Sequence, residues 1–116
     1  MSSTAAGGAG GAPGASSFDV VTTAPGRLAV RGPITFANAR RARNDGLRAL
    51  RDSGARELEV DCAGITQSDS AGLAVMLDWM AIMKREGRAL RFANLPQSLL
   101  AVASISGVED LLQKGV

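Results

Sequence analysis

Between Phe18 and Gly107 the spacing of apolar residues keeps changing period, and this rhythm limits the possible folds more than any other property of the chain. "FDVVTT" and "RLAVRG" alternate apolar and polar residues, the two-residue period of a strand with one buried face. Between them, "APGR" offers Pro25 and Gly26 for the central positions of a type II turn, so the two strands make a hairpin. In "TFANARRARNDGLRALRDSG" the period becomes helical. Phe36, Ala39, Ala42, Leu47 and Leu50 line one side and most of the arginines the other, with Thr35 placed to cap the start and Gly54 to end it. "RELEVDC" returns to period two, setting Leu58, Val60 and Cys62 against Glu57, Glu59 and Asp61, so one face of the sheet is wet. A second helix, "SAGLAVMLDWMAIMKREG", closes at Gly87 and leads to the strand "ALRFANL". Pro96 suits the first turn of a third helix, "PQSLLAVASIS", followed by Gly107.

Strands alternating with helices at this spacing imply parallel crossovers, which are right-handed almost without exception. The expected fold is a two-layer α/β domain: a mostly parallel four-stranded sheet with an N-terminal hairpin and helices packed on one face. A chain of 116 residues suffices for one such core, and there is no internal repeat. With three Phe, one Trp and no Tyr, aliphatic side chains must fill that core. The start, "MSSTAAGGAGGAPGASS", has neither the basic opening nor the apolar centre of a secretory signal and cannot bury enough surface to order itself. Residues 1–17 are therefore expected to form a disordered tail, and residues 18–116 the domain.

Composition also removes whole classes of chemistry. With no His, the usual neutral-pH acid/base and the commonest metal ligand are missing. A single Cys cannot form an internal disulfide, and Cys62 has neither a His nor a second Cys to share a zinc ion, so it is expected to be a small core residue. No metal site, no cofactor and no enzymatic activity are expected. No stretch approaches the length of a membrane span, so direct membrane insertion is not expected either. The formal charge is +2 and the pI about 9.3, with Arg40, Arg41, Arg43, Arg48 and Arg51 in one helix. Asp45 and Asp52 interrupt that charge and no aromatic residue is placed to stack on bases, so a solvated helix face is expected rather than a nucleic-acid site.

The segment that invites a functional reading is "TQSDSAGLAVML", residues 66–77. Asp69 or Ser68 can cap the second helix by accepting a backbone hydrogen bond, which puts Ser70 at the first helical position. Loops leaving the carboxyl ends of strands are where α/β sheets bind partners and ligands. A hydroxyl there is accessible, and free N–H groups at the helix start tolerate added negative charge such as a phosphate. Gly72 is expected to leave the first turn open to close approach by another molecule. Ser70 as a nucleophile would need a base, and nothing in the sequence ties Lys84 or Lys114 to it. The same helix carries two apolar stripes: Leu73, Met76, Leu77, Met80 and Met83, then Val75, Trp79 and Ile82. One faces the sheet. The other packs on a neighbouring helix or stays exposed as an interaction patch, in which case Trp79 is the candidate hot spot.

"VDCAGITQSDSAGLAVMLDWM" resembles the STAS-domain family (sulfate transporter and anti-sigma factor antagonist), whose signature is Asp-Ser/Thr-small-Gly-Leu at a helix start: here Asp69, Ser70, Ala71, Gly72 and Leu73. "GRLAVRGPITFANA" and "GRALRFANLPQSLLAVASISGVEDLL" occupy the positions of the family's early and final strand–helix pairs, extending the resemblance over about residues 18–113. The resemblance implies a noncatalytic regulatory module that binds its partner through the helix start, Asp69, Ser70, Ala71 and Gly72, to which the second apolar stripe adds Trp79 if it is exposed. In the transporter branch, which includes the small cytoplasmic subunit of Mla-type phospholipid transporters, this surface docks on the ABC transporter's ATPase subunit, at the inner face of the inner membrane. In the anti-sigma factor antagonists the hydroxyl at Ser70 is a phospho-acceptor for a partner serine kinase, the anti-sigma factor. Ala74, where antagonists often have a second Gly, and "FANLPQSLLAVASISGVEDLL" favour the transporter branch; the antagonist remains the alternative.

Overall fold

A computed structural model of the protein describes residues 17–114, so residues 1–16 of the expected tail and the last two residues of the expected domain lie outside the described residues. The expected hairpin forms from β1 (Asp19–Ala24) and β2 (Arg27–Ile34), antiparallel with Val20 opposite Val30. Gly26 takes the positive φ of 75° that the second central residue of a type II turn requires. Helix α1 (Ala39–Ser53) then leads to β3 (Glu57–Ser68), and α2 (Ser70–Arg85) leads to β4 (Ala89–Ala93). Strand β3 runs parallel to both neighbours, with Leu28 beside Val60 and Leu58 beside Leu90, and the sheet order is β1-β2-β3-β4. Helices α3 (Gln97–Ile105) and α4 (Glu109–Lys114) follow.

Alternation sorts the sheet into two faces, as expected. Leu28, Val30, Leu58, Val60, Cys62, Leu90 and Phe92 point into the core with the apolar faces of the helices. The opposite face is polar, and Glu59 stands there between Arg27 (3.9 Å) and Arg91 (3.7 Å).

Four features depart from the sequence pattern. Strand β3 continues past Cys62 to Ser68, but its alternation slips: three residues of β2, from Ala29 to Arg31, face four of β3, from Asp61 to Gly64, and a second slip follows near Pro33. Each extra residue shifts the buried set by one position, so "AGITQS" shows no period although it is strand. Helix α1 begins at Ala39, and the Thr35 hydroxyl accepts from the N–H of Ala37 instead of capping the helix. Asn38 holds this turn, accepting from the N–H of Thr35 at 2.9 Å and donating to the carbonyl of Pro33 at 2.9 Å. Phe36, expected on the buried side of the helix, therefore sits in the turn before it and is 85% exposed. The fourth feature is α4, which had no counterpart in the strand and helix pattern; it packs beside β4 with Leu112 buried.

Helix α2 buries both of its stripes except at Leu77, which is half-buried. Leu73, Met76, Met80 and Met83 are in the core, and so are Val75, Trp79 and Ile82. Trp79 lies against α1, with its indole N–H donating to the carbonyl of Arg43 at 3.1 Å and its ring 6.1 Å from that of Phe18. The contact is so close that a Cβ on Gly46 would come within 2.3 Å of the indole. The expectation that Trp79 serves a partner fails, because α1 already covers it and leaves it 1% exposed. Among the described residues, no helix is long and apolar enough to cross a membrane.

Candidate functional site

Strands β2 and β3 run parallel and end side by side, with Ile34 paired to Ser68, so the loops that follow them emerge together. Asp69 joins those loops. Its extended backbone, φ −138° and ψ −168°, makes it the cap of α2, and one carboxylate oxygen accepts the N–H of Gly72 at 3.0 Å. The other oxygen accepts the N–H of Phe36, 33 residues earlier, at 3.1 Å. The Phe36 N–H, helped by those of Gly72 and Ala71, holds this carboxyl below the usual aspartate range, so Asp69 is a carboxylate at neutral pH. One side chain thus caps α2 and pins the β2–α1 turn to it.

Ser70 follows as the first residue of α2 and is exposed. Its hydroxyl stands at the positive end of a 16-residue helix, and the preceding residue, Asp69, holds the backbone N–H of the exposed Phe36. Ala71 is half-buried.

Gly72 has a different task from the expected one. It is buried, and a Cβ there would lie 2.1 Å from the carbonyl oxygen of Ile34. The missing side chain lets α2 sit against the end of β2, and no room is left at Gly72 for another molecule. Ser68 does not cap the helix; its hydroxyl is buried and has no hydrogen-bond partner among the described residues. Of the five expected contact residues, Asp69, Ser70 and Ala71 come together at this surface, while Gly72 and Trp79 serve the interior.

Two residues have roles that the sequence pattern did not assign, one at the Asp69 cap and one farther back along β3, where Ala93 pairs with Asp61. Phe36 is one. The other is Asn94, in the left-handed region at φ 56°, whose side-chain amide donates to Asp61 at 3.1 Å and ties the β4–α3 loop to β3. Neither carries a sequence signal beyond its residue type, since both roles depend on contacts with distant strands.

The thiol of Cys62 is fully buried and pushed up to about 12 by that burial, with Asp61 adding to the effect, so it is inert. A groove of about 690 Å³ lies away from Ser70 between α1 and α2 and is bridged by the Arg51–Glu86 ion pair at 2.6 Å. At the helix start Ser70 is exposed, and so is Phe36, whose backbone N–H Asp69 holds.

Known proteins resemble the chain at two levels. A sequence profile described as "Mlab, STAS domain" matches residues 20–113. Among solved structures, the anti-sigma factor antagonist SpoIIAA in its unphosphorylated form superposes with a TM-score of 0.63 at 14% identity, over 81% of this chain and 84% of that one. The Bacillus cell fate determinant SpoIIAA in its phosphorylated form gives 0.61, also at 14% identity, over 84% and 88%. At that identity the likeness is one of fold. No curated protein matches the chain.

Proposed function

The chain belongs to the STAS-domain family, and from that premise we propose that it is a noncatalytic accessory subunit that docks on the ATPase of an Mla-type ABC transporter for phospholipids. The observation that carries this reading is the exposed Ser70 directly after Asp69, whose carboxylate clamps the helix start to the backbone of the exposed Phe36. Backbone held on both sides by the Asp69 carboxylate loses little entropy when a partner covers it, which suits a stable subunit contact. The family profile, described by its Mla member, supports the transporter branch. On this reading the ATPase supplies all nucleotide chemistry, and the partner complex holds the chain at the cytoplasmic face of the inner membrane.

The test is copurification of the ATPase–permease complex with the tagged chain, followed by affinity measurements on Ser70 variants. Ser70→Asp should weaken docking by about 2–4 kcal/mol, since a carboxylate would be desolvated at the centre of the contact. Ser70→Ala should cost less. Equal affinity for wild type, Ser70→Ala and Ser70→Asp would remove Ser70 from the interface, and no binding at all would end the transporter reading.

A second reading is favoured by one observation: the fold is that of SpoIIAA, which is known in a phosphorylated form, and Ser70 is exposed at a helix start. As a phospho-acceptor for a serine-kinase anti-sigma factor, Ser70 would gain about −1.5 to −2 charge, stabilised by the helix N-terminus but close to the Asp69 carboxylate. Recovery of a serine kinase with the tagged chain, and phosphate mapped to Ser70 by mass spectrometry, would select this reading over the first.

A further inference from the structure

Helix α1 carries five arginines, and three of them are already paired. Arg41 meets Asp45 at 3.6 Å, Arg43 meets Asp78 at 3.2 Å, and Arg51 meets Glu86 at 2.6 Å. Arg40 and Arg48 have no carboxylate partner among the described residues. Both are exposed, as are Phe36 and Asn44, and the four recur at intervals of four residues. That interval sets Arg40, Asn44 and Arg48 in one row along the outer face of the helix, Arg40 and Arg48 about 12 Å apart along the axis, with Phe36 in the turn that precedes it. Phe36, Arg40, Asn44 and Arg48 line one open groove of about 610 Å³. The row is continuous with the Ser70 surface, because Asp69 holds the N–H of Phe36 at 3.1 Å.

We propose that the partner-binding surface runs from Ser70 across Phe36 and along α1 through Arg40 and Arg48, and that it fits a protein presenting an apolar pocket bordered by carboxylates. The inference builds on the docking reading above and adds the chemistry of the partner's surface. Phe36 supplies the apolar anchor: an aromatic ring 85% exposed at the centre of a polar surface is covered when a pocket receives it. The two unpaired arginines supply charge complementarity, which steers encounter and fixes orientation.

An anionic membrane is the weaker fit. The apolar side of α1 (Ala42, Leu47 and Leu50) is buried in the core, so the helix cannot lie in a lipid interface as an amphipathic anchor. Two free charges contribute only roughly fivefold each to membrane affinity.

The experiment measures binding of the purified ATPase–permease complex to the immobilised full chain, with Phe36→Ser, the double variant Arg40→Glu/Arg48→Glu, and Ser70→Asp as the reference for docking at the helix start. Circular dichroism checks that each variant is folded. Both new variants should lose about tenfold in affinity or more, the double variant mainly through slower association. Its binding should also become less sensitive to salt than that of wild type. If Ser70→Asp abolishes binding while Phe36→Ser and the double variant bind like wild type, the extended surface is wrong and the docking reading stands. If wild type does not bind the complex, both fall. Cosedimentation of wild type with vesicles of phosphatidylcholine and phosphatidylglycerol, lost in the double variant, would assign the arginines to lipid and overturn the proposal.

Discussion

Replacing Gly72 by Ala separates a close-packed glycine from an ordinary helical one, because the two give stability changes of opposite sign. In a solvent-facing helix, Gly→Ala stabilises by up to about 1 kcal/mol. At Gly72 the new methyl would lie 2.1 Å from the carbonyl oxygen of Ile34 and 3.0 Å from its carbonyl carbon. Ordinary carbon–oxygen contact is about 3.3 Å, so the first turn of α2 would have to move by roughly 1 Å. Neither neighbouring atom can swing aside, since Ile34 is held in the parallel ladder opposite Ser68. Overpacking costs about 1–3 kcal/mol, and a clash with ladder backbone belongs at the upper end. Subtracting the gain in helix propensity leaves a net loss of about 2 kcal/mol, or a Tm about 8–16 °C below wild type for a domain of this size. Thermal unfolding followed by circular dichroism measures it. Ala74→Gly, at an exposed position of the same helix, serves as the control and should cost about 1 kcal/mol. A Tm for Gly72→Ala at or above that of wild type would refute the close-approach argument.

Three further outcomes are expected. The native carboxyl of Asp69 is held low chiefly by the N–H of Phe36, so its stabilisation is present above the unfolded-state value of about 3.9 and is lost as pH falls through the lower native value. Asp69→Asn should therefore be less stable than wild type at neutral pH, with the gap closing in acid; a gap that stays constant into strong acid would contradict this. Cys62, with its thiol pushed up to about 12, should ignore Ellman's reagent in the native protein and react promptly in guanidinium, and fast native labelling would show that the site is open. Trp79→Phe should cost about 1–3 kcal/mol in urea unfolding, because it removes the hydrogen bond to the carbonyl of Arg43 and leaves a void under α1; an unchanged midpoint would mean that Trp79 is not packed there.

The secondary structure was legible wherever it depends on neighbours in sequence. Leu58, Val60 and Cys62 announce a buried strand face through their spacing, Gly26 and Gly54 mark a turn and a helix end, and Asp69 marks a cap. Each signal reflects a preference exerted over a few residues, so the order of elements through α3, the parallel sheet and the position of Ser70 could all be derived from the chain alone. The second half of β3 could not, because its register slips are set by pairing with β2 and erase the period from which strands are recognised.

The division within the site follows the same line. Its hydroxyl and its cap belong to one short stretch, and the sequence by itself determined both. Tertiary structure alone decided what surrounds them: Phe36 is outside because the Asn38 turn delays α1, Trp79 is inside because α1 covers it, and Gly72 is filled by the backbone of Ile34. Whether an apolar residue or a glycine faces a partner or the interior depends on what lies across from it. In this domain the partners of Trp79 and Gly72 are more than thirty residues away in the chain, beyond the reach of any local pattern.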